Sequence, residues 1–331
     1  MNYILEESQD VKIGFLKESQ LLPLVIMPKN ALCLISWAAR NKDKINELIT
    51  EYGGILFRGF DVESSQKFEA FIESVSSDAL EYKERSSPRK TVSGNIYTST
   101  DHPREEEIFL HNEHSYSLNF PSRIFFYCES PSLVGGNTPI ADTRKIYERI
   151  PQELREVFSE RQYRYSRCLW PMMGMTWQQS FQTHDKMKVE NYCRENSIGF
   201  EWIDNNALKT YQIRPLIATH PISKQKCWFN HCTFFNISSL SADTQNLIRS
   251  SFDEQYYPNN TYYGDGEVIA DKDMAILRDA YNAEKSEFEW QKNDILMLDN
   301  VLTAHGRCSF EGARKIYTGM SQPWKWDHLL A

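Results

Sequence analysis

The feature that most constrains this chain is a set of polar motifs that follow extended, apolar-flanked segments and lie far apart in sequence. In Leu110-His111-Asn112-Glu113-His114-Ser115-Tyr116 a histidine and a carboxylate stand two residues apart in a segment that reads as a strand. Alternate side chains of a strand share a face, so His111 and Glu113 are expected to point at one locus while Asn112 and His114 turn away. A third group lies in Leu298-Asp299-Asn300-Val301-Leu302-Thr303-Ala304-His305-Gly306-Arg307, where a run ending in Asp-Asn delivers His305 just before a glycine. Any fold in which the three act together has to bring residue 305 back beside residue 111.

Two neutral imidazoles and one carboxylate on one face of an ion form the facial triad of non-haem Fe(II) oxygenases, which leaves three coordination positions open. The pair alone carries little weight. With 45 acidic residues among 331 and eight histidines, chance supplies about one His-x-Asp/Glu (8 × 45/331). The context decides its meaning.

A chain of 331 residues is long enough for two domains, but all-β and barrel folds of this length commonly remain one, and one domain spanning 1–331 is expected. Hydrophobic residues at 41% and charged residues at 25% describe a globular protein with an ample core. No apolar run is long enough for a membrane span, and Met1-Asn2-Tyr3-Ile4-Leu5-Glu6-Glu7 lacks the basic and apolar regions of a signal peptide, so the expected location is the cytoplasm, with no membrane partner. Seven scattered cysteines, an odd number, fit reduced thiols there. A net charge of −8 argues against broad binding to nucleic acid or anionic membranes.

Residues 1 to 30 show weak periodicity and read as irregular structure on the body. From Asn41, the residues Ile45, Leu48, Ile49 and Tyr52 recur at helical spacing and Gly53-Gly54 stops the helix. Ile55 to Phe60 reads as a buried strand, and Ser64 caps a second helix carrying Phe68, Phe71, Ile72 and Val75. This N-terminal cover extends over 1–80. Residues 80–108 form a polar loop of the length used for active-site lids, although Lys83, Arg85, Arg89 and Lys90 would look the same in a solvated turn.

Arg123 to Glu129 reads as a buried strand, followed by Gly135-Gly136-Asn137-Thr138. Paired glycines allow close backbone approach and Thr138 can present a hydroxyl to a ligand, as well as simply following a hairpin turn. Pro151 opens a helix with Leu154, Val157 and Phe158 inward, 178–198 reads as helical, and 143–212 as a whole reads as a helical insertion. Strands resume at Leu216–His220 and Lys226–Asn230. Cys227, His231 and Cys232 are not read as a zinc site, because alternation puts Cys232 on the opposite face from the other two and no second ligand pair follows. Ser241 and Asp271 start two more helices, with Leu247 and Ile248 inward in the first and Met274, Leu277 and Tyr281 in the second. Phe288–Gln291 and Ile295–Asn300 read as strands around an Asn293-Asp294 turn. Arg314 then begins a strand that, paired antiparallel with the His305 segment, would set its guanidinium beside the metal.

Four separated pieces, His111-x-Glu113, Gly135-Gly136-x-Thr138, His305-Gly306 and Arg314, resemble the signature of the taurine dioxygenase (TauD/TfdA) family of iron and 2-oxoglutarate-dependent oxygenases. The resemblance covers roughly residues 50 to 322 and includes the Asp299-Asn300 lead-in to His305. Glu113 departs from the taurine enzymes, which carry aspartate, and is similar to clavaminate-synthase-like and asparagine-oxygenase-like members that act on amino acids; the gap from His305 to Arg314 is also shorter. Ser86-Ser87-Pro88-Arg89, Gly94-Asn95-Ile96-Tyr97-Thr98-Ser99-Thr100 and Ala304-His305-Gly306-Arg307 resemble SyrP-type hydroxylases of nonribosomal peptide pathways.

The resemblance implies a double-stranded β-helix (jelly roll) of mainly β structure with helices packed outside. It implies His111, Glu113 and His305 as ligands of Fe(II), with 2-oxoglutarate and O2 as co-substrates. An anion buried unpaired costs several kcal/mol, so a forked guanidinium at Arg314 and the hydroxyl of Thr138 are the expected partners of the far carboxylate. Glu113 excludes the family's halogenases, which have a small residue there. The implied reaction is hydroxylation of an amino acid, free or tethered to a peptidyl carrier protein, with release of succinate and CO2; Asn230 and Asn95 are the expected substrate contacts. Desaturation or epoxidation of another small carboxylate, a metal-binding jelly roll without turnover, and a His/His/Glu zinc hydrolase stay open. Retention of Thr138 and Arg314 argues against the inert binder, and the missing His-Glu-x-x-His helix against the familiar zinc proteases.

Overall fold

The computed structural model describes residues 3–76, 91–99, 102–203 and 206–329. In chain order the strands are β1 (Tyr3–Glu7), β2 (Val11–Lys17), β3 (Gln20–Pro28), β4 (Gly54–Phe57), β5 (Thr91–Ser93), β6 (Ile96–Thr98), β7 (Ile108–His111), β8 (Asn119–Ser130), β9 (Val134–Gly135), β10 (Ile140–Asp142), β11 (Tyr163–Leu169), β12 (Gly199–Ile203), β13 (Ala207–Arg214), β14 (Ile217–Thr219), β15 (Lys226–Trp228), β16 (Asn259–Tyr263), β17 (Ile295–Asp299), β18 (Thr303–Arg307), β19 (Phe310–Glu311) and β20 (Lys315–Lys325). Nine of them form one sheet in the order β1-β2-β3-β4-β17-β8-β20-β6-β5, and three form a second, β10-β18-β7.

Three helices cover one face of the large sheet. Ile45, Leu48 and Ile49 of Lys42–Tyr52, with Phe68, Phe71 and Val75 of Ser65–Val75, pack on Phe57, Phe125 and Ile295 of the strands, joined by Trp37 of Leu34–Arg40. Ser64 caps its helix by accepting from Lys67 N, and Gly53 ends the preceding one at φ 78, a left-handed conformation that glycine adopts without a Cβ penalty. On the opposite face, Val25, Leu56, Ile124, Phe126 and Leu298 of the large sheet meet Ile140 of the small one, with Phe288 and Trp290 filling the space between. The small sheet's outer face, through Leu110, Ala141 and Ala304, packs on Ile146, Leu154, Phe158, Met274, Leu277 and Tyr281 of three more helices. Burial of apolar surface on both faces of the small sheet fixes where His111 and His305 come to lie.

Several expectations are corrected. Residues 3–28 are not irregular: β1, β2 and β3 extend the large sheet, and β3 joins β4 in parallel. The stretch 143–212 is not simply helical, since β11, β12 and β13 join β16 in a four-stranded sheet. Leu247 is exposed and Ile248 alone is buried in its helix. Phe288–Gln291 is not a strand but a connection in which Phe288 and Trp290 are buried while Glu289 and Gln291 are exposed. The basic residues Lys83, Arg85, Arg89 and Lys90 lie outside the described residues, as do positions 80–90, 100 and 101 of the expected lid. No described helix is long and apolar enough to cross a membrane.

Candidate metal centre and co-substrate pocket

His111 ends β7 and stands in register opposite His305 on β18, their ring centroids 4.6 Å apart. The Nδ1 of His111 lies 2.8 Å from the carbonyl oxygen of Phe109, which fixes Nδ1 as the donor and leaves Nε2 with its lone pair for a metal. Across the cavity the ring of Phe126 on β8 meets His305 at 5.1 Å. The two sheets thus close on each other at the histidines.

Glu113 reaches the same place by a different route from the one expected. It is not on the strand: β7 stops at His111, and Glu113 sits in a turn followed by His114 at φ 56. The turn is held by Asn300, whose Oδ1 accepts from Glu113 N at 2.8 Å while its Nδ2 donates to the carbonyl oxygens of Glu113 and Pro121, both at 2.8 Å. Asn112 Nδ2 donates to Asn300 O at 2.7 Å. His114 does not turn away either, since its Nε2 lies 3.7 Å from Glu113 Oε1. Glu113 Oε2 is 3.8 Å from His305 Nε2, and one ligand atom from each of His111, Glu113 and His305 lies within 4.8 Å of the others. Two groups about 2 Å from one ion are at most about 4 Å apart, so small side-chain shifts bring the set onto a metal. Two imidazoles and a carboxylate, with no thiolate, suit iron.

Thr138 and Arg314 line the same cavity as His111 and His305. Arg314 does not reach it through a strand pair with His305. β20 pairs with β8 and β6, whereas β18 pairs with β10 and β7, so Arg314 approaches from the facing sheet. Its Nε donates to Gly136 O at 2.9 Å and its Nη2 approaches Thr138 Oγ1 at 3.4 Å, an oxygen that also accepts from Trp290 Nε1 at 3.1 Å. Gly136 has to be glycine: its φ is +70, and a Cβ there would lie 2.3 Å from Ser132 Oγ and 3.0 Å from Arg314 Cδ. Burial, followed by the charge of Arg307, lowers the Arg314 pKa to about 10. Among the described residues no carboxylate pairs with Arg314, so the pocket holds a cation suited to an incoming carboxylate.

The two substrate contacts expected from sequence are not at this cavity. Asn230 is buried beyond the end of β15, with Nδ2 donating to Leu216 O and Oδ1 accepting from Cys232 N, so its amide secures a turn. Asn95 is exposed in the β5–β6 turn, where its backbone N–H donates to Glu69. Cys227 and Cys232 are buried with thiols pushed up to about 12 by burial, and neither belongs to a metal-binding group among the described residues. Sequence reasoning gave no role to Asn300, to Arg307 or to His231, although all three stood in quoted motifs. The ring of His231 is 5.2 Å from that of His111, its Nδ1 is 2.6 Å from Ser115 Oγ, and burial lowers its pKa well below the usual value. Phe234 stacks on His111 at 4.6 Å.

Residues 34–320 match the taurine catabolism dioxygenase TauD, TfdA family. The chain belongs to this family. Over 279 residues it is 34% identical to the dapdiamide synthesis protein DdaC of Enterobacter agglomerans, covering 84% of this chain and 85% of that one. It is 29% identical over 326 residues to a clavaminate synthase-like protein of Arabidopsis thaliana, covering 92% and 94%. Among solved structures it resembles PvcB, an Fe, alpha-ketoglutarate dependent oxygenase from an isonitrile synthetic pathway, with a TM-score of 0.59, 14% identity and full coverage of both chains. The TauD/TfdA chain described here is an iron- and 2-oxoglutarate-dependent dioxygenase.

Proposed function

We propose that His111, Glu113 and His305 hold the iron, that Arg314 and Thr138 hold the outer carboxylate of 2-oxoglutarate, and that the enzyme hydroxylates an amino acid, free or carrier-tethered, in natural-product biosynthesis. The observation that carries this reading is the cavity lined by the two histidines, Thr138 and an Arg314 without a carboxylate partner. Bound iron, with 2-oxoglutarate and O2, supplies the oxidising power that turns a C–H bond into C–OH while 2-oxoglutarate leaves as succinate and CO2.

The chain's own residues set the conditions for that chemistry. Phe109 O orients the His111 ring, and Asn300 holds the Glu113 turn, so the ligands are placed before the metal arrives. Phe126 and Ile316 give the cavity apolar walls that exclude water, which strengthens the attraction between Arg314 and a carboxylate. Trp290 and Arg314 both donate toward Thr138 Oγ1, leaving the threonine's own O–H to point at an acceptor in the pocket.

DdaC, a protein of dapdiamide synthesis, supports a biosynthetic setting. The reading also takes the chain as one cytoplasmic catalytic domain whose two facing sheets are the layers of a double-stranded β-helix. The test is a screen of amino acids, free and loaded on a carrier protein, for succinate formation that depends on both substrate and iron. Gain of one oxygen atom by an amino acid or its carrier-bound form is the expected result. Succinate coupled only to substrates without an amino group, or a product that has lost two hydrogens, would overturn it.

A further inference from the structure

Arg307 stands two residues beyond His305 on β18 and has no part in the assignments above. It is buried and lines the same cavity as His305, Thr138 and Arg314. Its guanidinium and that of Arg314 share the ring of Phe310, at 5.2 and 5.6 Å from the centroid. Nη1 donates to the carbonyl oxygen of His102 at 3.0 Å, and Nη2 to those of Pro103 at 2.5 Å and Glu106 at 2.9 Å. These carbonyls belong to a short turn that His102 Nε2 and Glu106 Oε2 brace at 3.1 Å and that leads into β7. Nε of Arg307 is buried with no hydrogen-bond partner among the described residues.

Among the described residues neither Arg307 nor Arg314 makes an ion pair; the carboxylates of Glu106 and Glu105 act on Arg307 only through space, and no carboxylate acts on Arg314. Carbonyl dipoles soften the repulsion between the two guanidiniums without removing it. A dicarboxylate entering the cavity changes the balance for both groups at once. Arg307 ties the turn at 102–106 to the strand that carries His305, and Phe310 N, just beyond that strand, donates to Arg104 O at 2.9 Å; β18 and β7 pair through an irregular register between His305 and Arg307.

We propose that Arg307 is a positioning residue that couples co-substrate binding to the His102–Glu106 turn: a dicarboxylate held by Arg314 supplies the shared counter-charge and tightens the three-carbonyl clamp. This inference rests on reading the cavity as the 2-oxoglutarate site. Coupling is reciprocal, so a formed clamp raises affinity for the dianion as much as the dianion firms the turn.

Hydrogen exchange of the amides at 102–108, in the full-length protein loaded with Mn(II), with and without 2-oxoglutarate, tests it. In the native protein 2-oxoglutarate slows exchange there about tenfold; in Arg307→Gln the slowing is lost and the Kd for 2-oxoglutarate rises about 3–10-fold, with Mn(II) affinity unchanged. Arg307→Lys keeps the charge but cannot fork to three carbonyls, so the protection stays lost and the Kd recovers only in part. Native Kd and native protection in Arg307→Gln would overturn the coupling. Should that variant not fold, Arg307→Lys decides alone: protection lost with a weakened Kd supports the proposal, and a native Kd, with or without protection, overturns it. Arg314→Gln separates the two layers, because an unchanged 2-oxoglutarate Kd in that variant refutes the reading of the cavity itself. A weakened Kd there beside an unaffected Arg307→Gln refutes only the coupling.

Discussion

Arg123 and Arg314 lie toward opposite ends of one strand ladder, β8 against β20, and both are largely withdrawn from water. Arg123 donates to Asp299 Oδ2, the same oxygen lies 3.2 Å from His220 Nε2, and Asp299 Oδ1 accepts from the backbone N–H groups of Val301 and Leu302 at 3.0 and 3.1 Å. Every partner comes from the protein. Arg314 has a carbonyl and a hydroxyl beside it and, among the described residues, no acid. A buried charge paired internally sets the turn that delivers Asn300 and His305. One left without a counter-ion costs stability in the empty protein, a cost that a ligand can offset.

The largest expected effect lies between these two ends. Glu113→Ala should reduce substrate-dependent succinate formation to background and weaken iron binding, since it removes the one anion of the ligand set. Full activity in that variant would mean that another carboxylate is the ligand.

The comparison itself is broken or sharpened by a matched pair of substitutions. Asp299→Ala leaves Arg123 buried and unpaired, so it should cost about 3–5 kcal/mol of stability, read from denaturant unfolding, while weakening 2-oxoglutarate in the folded fraction far less than loss of Arg314 does. Arg314→Met should do the reverse. The empty protein keeps or gains stability, because an uncompensated buried cation is removed, while loss of a charge-assisted forked contact of about 3 kcal/mol weakens 2-oxoglutarate about a hundredfold in calorimetry with Mn(II). Similar destabilisation in both variants would end the distinction between a structural and a ligand-directed arginine.

How much of this was legible in the sequence follows the range of the interaction concerned. The helices around Ile45 and Phe68 were readable because their periodicity and caps are local. His111, Glu113 and His305 were readable as residue types whose chemistry fits one ion. The path of Glu113 was not, because its turn depends on a left-handed His114 and on amide bonds from Asn300, far away in the chain. β3 was missed for another reason. Buried in mid-sheet, Leu24, Val25 and Ile26 give a continuous apolar run without alternation, and Pro23 reads as a break. The approach of Arg314 was misjudged because sequence does not say which strands are neighbours and which face each other across a cavity. Arg307 stood in the quoted His-Gly-Arg motif, but the carbonyls it binds belong to an irregular turn that no pattern marks.

The smallest effect concerns acid. Burial pushes the Asp299 carboxyl up, but the charge of Arg123 and the contact with His220 outweigh it, so its pKa falls from the ordinary 3.8 to about 2. A carboxyl with a depressed folded-state pKa contributes stability above its unfolded value and loses it as the pH falls through the folded one. The native protein should therefore lose about 2 kcal/mol between about pH 4 and pH 2 through this group. Asp299→Asn, which cannot titrate, starts less stable at neutral pH and lacks that part of the decline, so the two unfolding curves should converge in this window. Urea unfolding at stepped pH measures it. A gap that stays constant down to pH 2 would mean that Asp299 is not held ionised by Arg123, and the internally paired end of the ladder would lose its contrast with Arg314.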